Sequence, residues 1–272
     1  MNFAVFVLST GRCGTQWLAE HLSHAYSDRF QVEHEPLHNF YNSRRNLLAY
    51  TLADLEPEAA EVILPHVESI ETCLAQRGYL ECGHPCWSAI PALVDRFRGR
   101  VRVIHLVRHP LPTSFSWLTH RAYEPPFFPY LPMKTLLSPF DPGVCLPEYR
   151  EGWEELTPFE KCLYYWAEVN LFGLAQKDAL GVPWLQVTYE DLFFADGLER
   201  LLAFLDLPLA DSLIAARAES VDRFRFTTTT TPDLKALGHH PRIIETARAF
   251  GYDPEEVDLA AFHRRYQGTP GS

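Results

Sequence analysis

The chain has 272 residues, a formal charge of −11, 47% hydrophobic and 22% charged residues, values that exclude a disordered, collagen-like or coiled-coil protein. An acidic balance disfavours a protein that coats nucleic acid or anionic membrane, since both partners need a surplus of Lys and Arg. Six cysteines, none in a C-x-x-C pair, are too sparse for a disulfide scaffold and point to a reducing compartment.

The first predicted element is a buried strand over Phe3 to Leu8. It has no preceding positive charge, is short for a signal segment and runs directly into a glycine turn, Ser9 to Gly14. A helix follows from about Thr15, with Leu18, Leu22 and Tyr26 on one face, and a second strand is expected at Phe30 to Glu35, ended by Pro36. Arg100 to Val107 is a nearly continuous apolar run of the kind buried on both faces of a parallel sheet. It stops at Arg108-His109-Pro110, where the proline can open a helix.

Seven of the 21 prolines fall between Pro125 and Pro147, among Phe127, Phe128, Tyr130, Phe140 and Tyr149. Proline removes donors and fixes φ, so about 123–153 is expected to be a long loop inserted into a single domain covering 1–272. Its aromatic side chains hint at an apolar or aromatic small-molecule partner. The best-marked helix runs from Thr157 to Leu180: Thr157 and Glu160 match a capping box, Pro158 takes the first helical position and Gly181 follows the end. Leu163, Ala167, Leu171 and Leu174 are its expected apolar stripe. Pro183 to Tyr189 reads as another buried strand, and Leu198, Leu201, Leu202 and Leu205 as a short amphipathic helix ended by Pro208. Strands alternating with helices predict an α/β class, a three-layer parallel sheet flanked by helices. No apolar run approaches the roughly 20 residues of a membrane helix, so a soluble, cytoplasmic protein is expected.

The turn Ser9 to Trp17, S-T-G-R-C-G-T-Q-W, lies between strand and helix, where backbone N–H groups and the helix dipole hold phosphate. Gly11 and Gly14 allow close approach, Arg12 brings charge and Thr15 a hydroxyl. G-x-x-x-x-G-K-[ST] is absent and no lysine occupies the turn, which separates it from the nucleoside triphosphatase P-loop. Arg108 stands at the end of its strand where that class would place a magnesium-binding acid, so two cationic strand ends, each before a helix start, would suit two separated phosphates.

Ser9 to Trp17 resembles the 5′-phosphosulfate loop of PAPS-dependent sulfotransferases. Arg108-His109-Pro110 with Ser116 resembles that family's 3′-phosphate motif, R-x-P-x-x-x-x-x-S, and Val187-Thr188-Tyr189-Glu190-Asp191 its Y-E-D segment. The resemblance implies a P-loop-like sulfotransferase fold and transfer of a sulfuryl group from PAPS to a hydroxyl, or less readily an amine, of a small-molecule, lipid or carbohydrate acceptor, releasing PAP without a metal. It implies that Arg12, Cys13, Gly14, Thr15 and Gln16 hold the 5′-phosphosulfate and Arg12 stabilises charge on the leaving phosphate. Trp17 would flank the adenine, with Tyr189 near it, and Arg108 and Ser116 would bind the 3′-phosphate. Two features depart from the pattern: Arg12 replaces the lysine of cytosolic members, and the C-terminal R-K-G segment is missing, with Arg223 and Arg225 before Thr227 to Thr231 as substitutes.

Two residues are candidates for the base that deprotonates the acceptor. His84, in Leu80 to Pro85, aligns with the histidine after the third strand of cytosolic members; Glu35 ends the second strand, where other members place a catalytic glutamate. His34 and Glu81 stand behind them. Cys82, His84 and Cys86 alternate, but in an extended segment i and i+2 lie about 6.6–6.8 Å apart, awkward for one zinc ion. The competing functional readings are a kinase with an unusual phosphate loop and a nucleotide-binding protein without catalysis.

Overall fold

A computed structural model of the chain describes residues 2–124, 134–218 and 232–254. Five parallel strands form one sheet: β1 Ala4–Leu8, β2 Phe30–Glu33, β3 Gly78–Glu81, β4 Val101–Val107 and β5 Trp184–Thr188. They lie in the order β2-β3-β1-β4-β5, so the first strand is central and the direction of winding reverses beside it. Its fully buried AVFVL sequence fits that position, with both faces covered.

The helices are α1 Thr15–Ala25, α2 Pro57–Leu74, α3 Ile90–Arg96, α4 Pro110–Thr119, α5 Pro158–Ala179, α6 Tyr189–Phe194, α7 Gly197–Phe204, α8 Asp211–Ala218 and α9 Pro241–Ala249. Alternate strand residues point to opposite layers. Ala4, Phe6, Leu8, Tyr79, Val101 and Val103 join a core with residues of α2 to α5 and α9, whereas Val5, Val7, Leu80, Ile104, Leu106 and Val187 face α1, α6 and α7. The result is the three-layer arrangement expected from the sequence. No described helix is long and apolar enough to cross a membrane.

Two expectations need correcting. Glu35 does not end a strand: β2 stops at Glu33, whose carbonyl accepts the amide of Cys82 at 2.8 Å, and Glu35 has φ +50°. In α5 the single stripe is replaced by burial on most sides, because Tyr164, Tyr165, Trp166, Val169 and Asn170 are buried while Leu171 and Leu174 are only partly covered. The described part of the Pro-rich insertion, 134–153, contains no α-helix or strand, and Pro125 to Pro132 with Phe127, Phe128 and Tyr130 lie outside the described residues.

The N-terminus of α5 is built as the capping box anticipates. The Thr157 amide donates to Glu160 Oε2 at 2.9 Å and the Glu160 amide to Thr157 Oγ1 at 3.3 Å. Thr157→Ala is expected to cost about 1 kcal/mol. Urea unfolding checks this; an unchanged midpoint would show that the cap contributes nothing.

Candidate functional site

The carboxyl ends of the strands carry the predicted residues: Arg12 follows β1, Glu35 β2, His84 β3, Arg108 β4 and Tyr189 β5. A site at this edge, beside the central strand where the winding reverses, is where open α/β sheets take ligands.

The turn after β1 is shaped by three left-handed residues, Gly11 at φ +75°, Arg12 at +60° and Gly14 at +92°. Gly14 caps α1 and has room for no side chain, since a Cβ there would lie 2.8 Å from the Phe193 ring. Without a side-chain cap or an acid in its first turn, α1 leaves the amides of Thr15, Gln16 and Trp17 without an intrahelical carbonyl. These amides and the positive end of the helix dipole suit an anion. Thr15 is buried and Gln16 exposed. The Cys13 side chain is part of the core: its thiol, 3.0 Å from the Gly11 carbonyl, has its pKa pushed up to about 11 by burial, so only its backbone can serve a ligand.

Arg12 is turned toward α4, where its Nε donates to Ser116 Oγ at 2.8 Å. Arg108 Nη1 donates to the Arg12 carbonyl at 2.8 Å, and its guanidinium lies 4.4 Å from the Tyr189 ring centroid. The two cationic motifs, 96 residues apart in sequence, are therefore one unit. Trp166 Nε1 donates to the Arg108 carbonyl at 2.9 Å and Trp117 Nε1 to the Thr10 carbonyl at 3.0 Å, fixing both strand ends.

The expectation of two helix starts open to phosphate fails at α4. Pro110 and Pro112 have no N–H, the Leu111 amide donates to His109 Nδ1 at 3.2 Å, and the Thr113 amide donates to the His109 carbonyl. Burial lowers the His109 pKa to about 4, so near pH 7 the ring is neutral and Nδ1 is free to accept. At this end of the site the α4 amides offer little to an anion, and the polar groups present are the Arg108 and Ser116 side chains.

Glu35 and His84 come together: His84 Nδ1 lies 2.8 Å from Glu35 Oε1. Burial favours the neutral acid, but the His84 charge and hydrogen bond outweigh it and, with His34, hold the Glu35 pKa at about 2. An ionised carboxylate only accepts hydrogen bonds, so Nδ1 carries a proton and Nε2 is the ring nitrogen left to meet a ligand. That Nε2 is buried and has no hydrogen-bond partner among the described residues. His84 is further fixed edge-on to Trp117, with ring centroids 5.3 Å apart.

The pairing makes stability depend on acid. Because the Glu35 pKa is depressed from 4.5 to about 2, its contribution is complete above about pH 4.5 and is lost as pH falls toward 2. Glu35→Gln is expected to flatten the loss of unfolding free energy across that window; equal slopes would contradict it.

Trp17 is half-buried, its ring 5.0 Å from Phe193, while Tyr189 is buried 4.6 Å from Phe193 and beneath Arg108. Sequence reasoning missed Trp117, Trp166 and Phe193. Trp117, next to Ser116 in the motif, was the one with a signal. Glu81 lies away from the Glu35–His84 pair, fully buried and receiving the hydroxyls of Tyr41 at 2.7 Å and Tyr79 at 3.2 Å. Among the described residues no group of three or more His, Cys, Asp or Glu is arranged to hold a metal ion. Arg223, Arg225 and Thr227 to Thr231 lie outside the described residues.

No protein-family model and no curated protein matches the chain. Solved structures do. A sulfotransferase domain from the curacin biosynthetic pathway is 18% identical, with 93% of this chain and 99% of that one covered at a TM-score of 0.54. The sulfotransferase domain of the Synechococcus olefin synthase is also 18% identical, covering 93% and 95% at 0.50, and a sulfotransferase from Alicyclobacillus acidocaldarius is 14% identical, covering 97% and 100% at 0.51. At these identities the likeness establishes that the chain has the sulfotransferase fold.

Proposed function

We propose that the chain is a PAPS-dependent sulfotransferase that transfers a sulfuryl group to a hydroxyl of a small acceptor and releases PAP. The observation that carries this reading is the buried Nε2 of His84, without a hydrogen-bond partner among the described residues, on a ring whose Nδ1 is held by an ionised Glu35 at the same sheet edge as the α1 helix start. An unsatisfied buried polar atom costs about 1–3 kcal/mol, a cost offset when an acceptor hydroxyl donates to it.

On this reading the amides that open α1 and the Thr15 hydroxyl hold the 5′-phosphosulfate. Arg108 and Ser116 hold the 3′-phosphate, with Arg12 tying the two sides together and Trp17 flanking the adenine. His84 Nε2 takes the proton from the acceptor, and Glu35 stabilises the imidazolium that results, the division of labour of a His–carboxylate pair. The acceptor oxygen forms its bond to sulfur as the bond from sulfur to the phosphate oxygen breaks. The electron pair left on that oxygen is stabilised by the positive end of α1. The Trp117 ring beside His84 and the aromatic insertion favour an apolar or aromatic acceptor.

Incubation with PAPS carrying radiolabelled sulfur and a panel of phenols and alcohols tests the reading. Label is expected to move to at least one hydroxyl compound. If PAP binds but no acceptor is labelled, the non-catalytic nucleotide-binding reading replaces this one.

A further inference from the structure

Among the described residues, the α1 side of the anion turn has no fixed cation of its own. No acid or base stands in its first turn, and Arg12 donates through Nε to Ser116 on α4. The titratable group found on that side is His34. Its Nε2 lies 3.4 Å from Thr15 Oγ1 and 3.7 Å from Glu35 Oε1, so its ring stands between the hydroxyl that opens α1 and the carboxylate of the His84 pair.

We propose, building on the sulfotransferase reading, that His34 takes up a proton when the nucleotide binds and holds it beside the 5′-phosphate as the sulfuryl group leaves. Three groups besides Thr15 act on the ring: Glu35 next to it, His38 on the following turn and His84 from the end of β3. In the free protein burial keeps His34 below the ordinary histidine value; Glu35 pulls it up, while His84 and His38 pull it down. The ring is then neutral near pH 7. An anion at Thr15 brings a negative charge to within a few ångströms, and an opposite charge at that range raises a histidine by about 1–3 units. The cation forms only when there is an anion for it to meet.

The proton balance is complete. The acceptor O–H proton goes to His84 Nε2, and the electron pair of the breaking S–O bond stays on the phosphate. The His34 proton, drawn from solvent on binding, faces that new charge from the other side of Thr15. His34 acts through this hydroxyl, as a positioning residue.

Calorimetry of PAP binding at pH 7 without magnesium, in two buffers of different ionisation enthalpy, tests the proposal. We expect uptake of about half a proton or more per PAP. The phosphates of PAP have second pKa values near about 6 and release protons in a positive site, so uptake must come from the protein. Uptake is expected to vanish in His34→Gln, with PAP affinity about tenfold weaker, and to persist in His84→Asn. Uptake that is absent from the native protein, or unchanged in His34→Gln, overturns the proposal while leaving the sulfotransferase reading intact. Failure of PAP to bind at all removes both. If the variant does not fold, a magnetic-resonance titration of His34 in the native protein, free and with PAP, decides the matter: the pKa must rise on binding, and an unchanged or lower value overturns the proposal.

Discussion

Replacing His84 with Asn is expected to lower kcat by about 10²–10⁴, the range for loss of a general base, with PAP affinity unchanged. The effect follows from the isolation of Nε2, which has no hydrogen-bond partner among the described residues and, on the proposed reading, would serve the incoming hydroxyl. Glu35→Gln is expected to lower kcat to a similar depth. An amide cannot hold the Nδ1 proton as a carboxylate does, and the imidazolium loses its counter-charge. Because the two side chains share one hydrogen bond, the double variant should be little worse than His84→Asn alone. Additive losses would show two independent roles, and full activity in either single variant would remove that residue from the reaction. Radiolabel transfer measures turnover once an acceptor is found, and PAP calorimetry shows that each variant retains its fold.

The second large effect is expected at Arg108. Hydrogen bonds to charged groups contribute about 1.5–3 kcal/mol, so Arg108→Ala should weaken PAP binding by about 10- to 100-fold. Adenosine 5′-phosphosulfate, which has no 3′-phosphate, should lose less. Equal losses would place Arg108 with the 5′-group or with structure alone. The second possibility has a physical basis, because Arg108 also donates to the Arg12 carbonyl and stacks on Tyr189. Arg108→Lys is not expected to restore affinity, since an ammonium cannot reproduce the guanidinium fork and its face-on contact with an aromatic ring.

Much of the architecture is legible in the sequence because it rests on local chemistry. The apolar run of β1 leading into Gly11 and Gly14, the proline that opens α4 and the capping box of α5 all need only neighbouring residues to be recognised. β3, with four residues, and α2, interrupted by Pro65, were not legible, because a short strand has no period and an internal proline hides a helical one. At the site the charged and titratable candidates are visible in the sequence, but their relations, and the aromatic residues Trp117, Trp166 and Phe193 that fix them, are not. Glu35 and His84 read as rivals for one role and stand as partners, since the hydrogen bond across 49 residues depends on β2 lying beside β3. Arg12 reads as a cation for the α1 side, yet its side chain crosses to Ser116, a direction set by its left-handed backbone and by the position of α4. The start of α4 looked open to phosphate. The cap by His109 and the second proline at 112 close it, because a helix start offers only the amides its first turn leaves unused.

The net charge of −11 does not oppose a small polyanion. Arg12, Arg108 and the α1 helix start concentrate positive potential at one sheet edge, whatever the sign of the remaining surface. Calorimetric titration with PAP and with ATP, in a chelator that removes magnesium, tests this most directly. PAP is expected to bind without the metal and more tightly than ATP; silence toward PAP, or binding of ATP alone and only with magnesium, would contradict the sulfotransferase assignment.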